Sequence, residues 1–338
     1  MTATGHGAAV NRAIAAGQAD LIRSFRELES HSPPLAEARP SARLARVLPA
    51  LRQEALSPWV YLDYYRIGRH LREGGRVDLL PVDPARVAER IERPVPFGSV
   101  IAFGDPALAS AGEWRALLEL FGEGGDFPAA LHPPDPCRHD RLAETITAAR
   151  SLIRRVDPEL AGLMDGLQAV LVLASTTPCA RGTALGFGGA TAFFFRGASL
   201  IDAHTRPALP RLVEVLVHEY THAELFVLAQ EGLLCTNDDG DRHRVRIRSD
   251  PRPMNGILHS LYVMGRLVEF FDRMDAVGVP WRSDGDAVLA AIRGRRAELV
   301  ANGLSSLEAA RRHGRLTSLG HTMLEASARR LGLDTPPP

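Results

Sequence analysis

The chain has 338 residues, and its 40 basic side chains balance 40 acidic ones; all the basic ones are arginine, because no lysine occurs. That excludes pyridoxal-phosphate Schiff bases, lysine general bases and phosphate-loop lysines, and zero net charge argues against a nucleic-acid binder that relies on a global basic field. With 45% hydrophobic and 24% charged residues, the composition suits one large domain or two ordinary ones.

Apolar residues at helical spacing (Val10, Ile14, Leu21, Ile22, Phe25, Leu28) predict a helix over about 9–29. A proline-bearing stretch, 31–40, ends it. Helices follow over 44–51 and 59–71, the second rich in aromatics (Trp59, Tyr61, Tyr64, Tyr65), then short elements over 78–95, a strand at 100–102 and a short helix over 113–121. Residues 122–140 are loose in Gly, Pro and Asp, which sets a boundary near 140. Residues 1–140 then form a mostly helical N-terminal region, a candidate for peptide recognition, and 141–338 the catalytic region.

In that second region, 141–156 and 158–163 read as helix. The apolar run 167–174 reads as a buried strand, 176–189 as a small-residue loop, and 191–195 as a second strand. The best helix covers 211–229, followed by a polar loop at 231–241 and a second strong helix over 255–274. Helices at about 284–300, 305–313 and 318–331 complete the chain, with a frayed tail at 336–338. The fold class expected is α+β, mainly helical, with a small β-sheet flanking the helix at 211–229.

Three cysteines, Cys137, Cys179 and Cys235, lie far apart. They offer neither a disulfide framework nor a CxxC knuckle, which fits a reducing, cytoplasmic setting. The first residues lack a charged stretch followed by an apolar run, so no secretory signal is expected. No run approaches the roughly 20 apolar residues of a spanning helix, so no membrane is expected as a partner.

One constellation carries chemistry: His218-Glu219-Tyr220-Thr221-His222, inside an apolar helical segment. Residues four apart share a helix face, so the two imidazoles can reach one metal ion. Glu219 is the catalytic candidate. The third ligand is either His259, near the start of the next helix, or Glu269, ten residues further along it. The metzincin pattern is excluded, because Leu225 and Leu228 stand where it needs Gly and His. Arginines 242, 244, 246, 248 and 252 crowd the approach to that helix, with an alternation that suggests a strand bearing one arginine face. Arg252, between Pro251 and Pro253, and Arg248 are candidates to grip a carboxylate. His132, Cys137 and His139 form a weak second metal candidate. Gly186-Phe187-Gly188-Gly189 lacks the spacing of a dinucleotide loop, and there is no G-x-S-x-G elbow.

The HExxH helix followed by Arg248, Asp250, Pro251, Arg252, Pro253, Gly256 and His259 resembles the HExxH-motif peptide-modification proteins of ribosomal peptide natural-product pathways. The resemblance covers about residues 165–275; Ser249 departs from the pattern. It implies an Fe(II)- and 2-oxoglutarate-dependent dioxygenase that hydroxylates a side-chain carbon, the β-carbon, of a ribosomally made precursor peptide with O₂. His218, His222 and His259 would hold iron, and Arg252 or Arg248 the distal carboxylate of 2-oxoglutarate. Glu219 would orient a ligand or water. The peptide would add a strand beside 191–195, with loop 231–241 as its lid. Two other readings stand beside it: a zinc metallopeptidase with Glu219 as general base, and a peptide-binding scaffold with a structural metal.

Overall fold

The computed structural model describes residues 3–123, 131–176, 188–203, 208–247, 249–278 and 285–333. In chain order these form α1 (Ala3–His31), α2 (Pro33–Ala38), α3 (Pro40–Val47), β1 (Glu54–Ala55), α4 (Pro58–Arg72), α5 (Pro84–Ile91), β2 (Val95–Pro96), β3 (Ser99–Ala102), α6 (Ala111–Gly122), β4 (Leu131–His132), α7 (Pro136–Val156), α8 (Pro158–Leu167), β5 (Val170–Thr176), β6 (Gly189–Ala190), β7 (Ala198–Asp202), α9 (Leu209–Leu228), β8 (Arg242–His243), β9 (Arg252–Pro253), α10 (Met254–Val277), α11 (Gly285–His313) and α12 (Ser318–Arg330). The protein is α+β and mainly helical. Proline opens α2, α3, α4, α5, α7 and α8, where its fixed φ suits the first turn and its missing N–H leaves no bond unmade. None of the described helices is long and apolar enough to cross a membrane.

The chain divides into two compact units that do not follow a cut near residue 140. One gathers Ile14–Thr147 with Gly162–Arg206; the other gathers Met1–Ala13, Ala148–Ala161 and Pro207–Pro338. The run 162–206, expected to belong with the catalytic region, falls in the unit of the N-terminal helices because its strands pair there. β3, β5 and β7 lie side by side and parallel, with Val100 opposite Leu171 and Leu171 opposite Ser199. β6 pairs antiparallel on the far edge of β7, and β4 pairs with the end of β5. Every residue of β5 is buried, as expected of a central parallel strand.

Trp59, Trp114, Phe103, Leu117, Val172, Phe195 and Leu200 make the core on this sheet. Phe25, Leu44, Val60, Ile67, Val87 and Ile91 make a second cluster among the helices. A buried Arg90 joins Asp63 to Glu113 and lies over the Trp59 ring. Residues 191–195, expected as a strand, form a turn instead. Phe194 and Phe195 are buried from that turn while Phe193 stays exposed; aromatic content mimicked a strand where the real one, β7, starts three residues later.

The second unit is built around α10, which α9, α11 and α12 all contact. Helix α11 is continuous from 285 to 313 where two helices were expected. Gly303, the weak point, lies so close to Leu331 that a Cβ would sit 2.6 Å from its side chain, and that packing outweighs glycine's poor helix propensity. The only ladder in this unit among the described residues is β8 with β9, Arg242 opposite Pro253 and His243 opposite Arg252.

Candidate metal centre

Helix α9 begins with Pro210 in its first turn, and nearly every side chain from Leu212 to Leu225 is buried, including Glu214, Glu219, Thr221 and Glu224. Its four valines are indifferent helix formers, so burial on most sides, rather than propensity, stabilises this helix. His218 and His222 project from it half-buried, with Glu214, Arg211 and Arg295 as charged neighbours of His218. Their Nε2 atoms lie 3.2 Å apart, with ring centres 4.9 Å apart. Across from them His259, one turn into α10, has its ring centre 6.1 Å from that of His222 and packs on Phe226 at 5.5 Å.

Burial disfavours the imidazolium form at all three. It lowers His218 and His259 from 6.5 to about 4. His222 falls further still, since His218 and His259 add to the desolvation. All three are neutral at pH 7 and able to offer a lone pair.

Metal–imidazole bonds are about 2.0–2.1 Å long. Two ligands at 90–110° would then hold their nitrogens about 2.9–3.4 Å apart and their ring centres about 4.5–5.2 Å apart. The His218–His222 pair meets both distances. His259 stands about 1 Å too far from His222 to complete the set, and among the described residues no group of three or more His, Cys, Asp or Glu side chains is close enough to hold a metal ion. The donor chemistry suits a divalent metal at the pair, with His259 as the nearest further imidazole.

The rival ligand, Glu269, is engaged elsewhere. Its carboxylate accepts from Arg266 at 2.9 Å, Arg273 at 2.8 Å and Arg330 at 2.9 Å. Burial would raise its pKa, but those arginines hold it below the usual range. Ten residues of helix also separate it from His259 by about 15 Å. Glu219 is buried. One turn before His218, Glu214 binds Arg295 at 2.8 Å and Arg211 at 2.7 Å.

Arg252 sits on β9 at the foot of α10, its Nε 3.0 Å from a carboxylate oxygen of Asp250; Arg248 lies outside the described residues. The strand with one arginine face expected over 244–248 is not formed: pairing stops at His243, 246–247 form a turn, and Ile247 is exposed like Arg244 and Arg246, with Val245 alone buried. Loop 231–241 is fastened rather than poised as a lid. Thr236 N–H donates to Arg315 O at 2.8 Å, Asn237 Nδ2 to His313 O at 2.9 Å, and Arg315 N–H back to Asn237 Oδ1 at 2.7 Å. The small-residue loop with Cys179 and Arg181, and the tail at 336–338, lie outside the described residues. His132 is in β4, while His139 lies 3.2 Å from Asp140.

Two residues beyond His222 in the chain, Glu224 anchors a polar knot that the sequence did not reveal. The fully buried carboxylate of Glu224 accepts from the hydroxyls of Tyr220 and Tyr262, from Arg266 at 2.8 Å and from His6 Nε2 at 2.9 Å. Burial would raise its pKa, but Arg266 and His6 hold it far below the usual range. The available signals were a glutamate and an arginine in otherwise apolar helix segments, a pattern that demands a buried partner.

No protein-family profile and no curated protein matches the chain.

Proposed function

We propose that the protein is an Fe(II)- and 2-oxoglutarate-dependent dioxygenase that hydroxylates a side-chain carbon, the β-carbon, of a ribosomally made precursor peptide. The observation that carries this reading is the pair of half-buried, neutral imidazoles of His218 and His222, with Nε2 atoms 3.2 Å apart and His259 facing them from α10. His218, His222 and His259 would hold the metal through uncharged nitrogens. When bound, Fe(II) with 2-oxoglutarate and O₂ supplies oxidative decarboxylation and insertion of one oxygen atom into a C–H bond.

The remaining work falls to the chain's own side chains. Partial burial between α9 and α10 keeps the imidazoles deprotonated. Arg252 offers a planar fork for the distal carboxylate of 2-oxoglutarate, with Arg248 beside it in sequence. Asp250 already neighbours Arg252, so a bound diacid would share or displace that contact. Glu219, next to His218 and buried, would orient a ligand or a water molecule rather than move a proton.

The test is aerobic incubation of iron-loaded protein with 2-oxoglutarate and candidate peptides under ¹⁸O₂. Succinate formed in step with a single labelled oxygen in the peptide supports the reading. A cleaved peptide bond with oxygen taken from water and no succinate would establish a zinc peptidase instead, and a metal-loaded protein that binds peptide without turnover would establish a scaffold.

A further inference from the structure

The carboxylate of Glu224 joins three helices. Tyr220 is on α9 itself, Tyr262 and Arg266 come from α10, and His6 comes from α1. Tyr262 is three residues on from His259, so the partner of Glu224 and the candidate third ligand lie on one side of α10. On α9 the geometry is different. Each residue turns the helix by about 100°, so Glu224 leaves α9 about 200° round from His222. The imidazole and the carboxylate therefore depart on opposite flanks, and both meet α10. A helix gripped on two flanks by the same neighbour cannot rotate about its own axis.

That rotation is the sensitive coordinate for the histidines. An imidazole nitrogen stands about 6 Å from the helix axis, so a 15° turn of α9 would carry it about 1.6 Å. Metal–ligand distances tolerate only about 0.2 Å. Close apolar packing resists such a turn but has no fixed angle of its own, because Val, Leu and Ala side chains can repack. A charged carboxylate with four donors cannot slide without leaving a buried group unpaired.

We propose that Glu224 is the positioning residue for the histidine centre, that Tyr262 and Arg266 lock it to α10, and that His6 makes the N-terminal helix part of the same lock. This rests on the reading of His218, His222 and His259 as ligands.

The experiment is a Co(II) titration of the metal-free, full-length protein, followed by the visible absorption of the bound ion and by competition with a chelator. It compares wild type with His6→Ala, His6→Gln, Tyr262→Phe and Glu224→Gln. Folding is checked by far-UV circular dichroism well below the melting temperature. His6→Ala and Tyr262→Phe are expected to stay folded, to bind Co(II) at least about tenfold more weakly, and to change the shape of its absorption band. His6→Gln, which keeps an N–H donor, should recover most of the affinity. Should Glu224→Gln fail to fold, the two milder variants carry the test. Wild-type affinity and an unchanged band in folded His6→Ala and Tyr262→Phe would overturn the positioning role while leaving the ligand reading intact. A folded wild-type protein that takes up no Co(II) would overturn both.

Discussion

Replacing Arg266 by methionine is the sharpest probe of the packing between α9 and α10. The guanidinium bonds Glu224 at 2.8 Å and Glu269 at 2.9 Å, and its side chain is 6% exposed against 0% for Glu224. Methionine fills much of the same volume, so the loss is mainly electrostatic. Glu224 would keep two phenols and His6 but lose its permanent cation, and breaking one side of a buried pair costs about 3–5 kcal/mol. Against a total stability of about 5–15 kcal/mol, that lowers the melting temperature by roughly 10 °C.

The assay is urea unfolding of the full chain followed by far-UV ellipticity. Fluorescence is a poor probe of this unit, since Trp59 and Trp114, two of the three tryptophans, belong to the other one. Glu224→Gln alone should cost a similar amount, because it leaves Arg266 under-compensated. The double variant should cost clearly less than the two singles added, with a coupling above about 1.5 kcal/mol. A loss below about 1 kcal/mol for Arg266→Met, or singles that add to within about 0.5 kcal/mol, would refute the reasoning.

His259→Ala should sharply reduce the amount of divalent metal bound, while Glu269→Ala, whose carboxylate is held by three arginines, should leave it unchanged; the reverse result in metal analysis would make Glu269 the third ligand. Arg252→Ala should raise the 2-oxoglutarate concentration needed for turnover about tenfold or more, from the roughly 1.5–3 kcal/mol of a charge-assisted pair, with only partial rescue in Arg252→Lys; an unchanged response removes Arg252 from the site. Acidification should destabilise the metal-free protein. The folded pKa of His218 and His259 is about 4 against 6.5, so the unfolded chain binds more protons in that window. Stability is then full above pH 6.5 and falls as the pH drops towards 4, by up to about 3 kcal/mol per histidine. Asp63, whose burial pushes its carboxyl up to about 6, acts in the opposite sense, so the check compares urea midpoints at pH 7 and pH 5 between wild type and His259→Gln; equal pH slopes would contradict it. The same neutrality should let the protein retain its metal down to about pH 5, rather than losing it near pH 6.

What could be read in advance followed from local periodicity. The HExxH helix and the helix carrying His259 were legible because apolar residues recur at helical spacing, and β5 because the unbroken apolar run of six residues from Ala169 to Ala174 suits a buried strand. Features set by distant partners were hidden. Nothing near Glu224 in sequence announces His6, 218 residues away. Likewise Gly303 reads as a helix stop until Leu331 is seen against it. Phe193, Phe194 and Phe195 carry strand propensity but are spent on a turn, which shows burial overriding preference. The boundary near 140 followed loop composition, whereas the division into units follows strand pairing.

That division has a consequence for how the molecule is made. The unit with the histidines uses Met1–Ala13, Ala148–Ala161 and Pro207–Pro338, so its first segment leaves the ribosome long before its last. At about 5–20 residues per second, roughly 7–26 s pass between synthesis of Arg206 and of Pro338. Ile14–Thr147 and Gly162–Arg206 can meanwhile pair their strands and close their core, while the first turns of α1 wait for α9 and α10. The bond from His6 to Glu224 is thus a late event, made after the sheet of the other unit has been synthesised in full. Cutting the gene at any single point yields no fragment that contains the histidine unit whole, so co-expression of two complementary pieces, not isolated domains, is the route to studying it in parts.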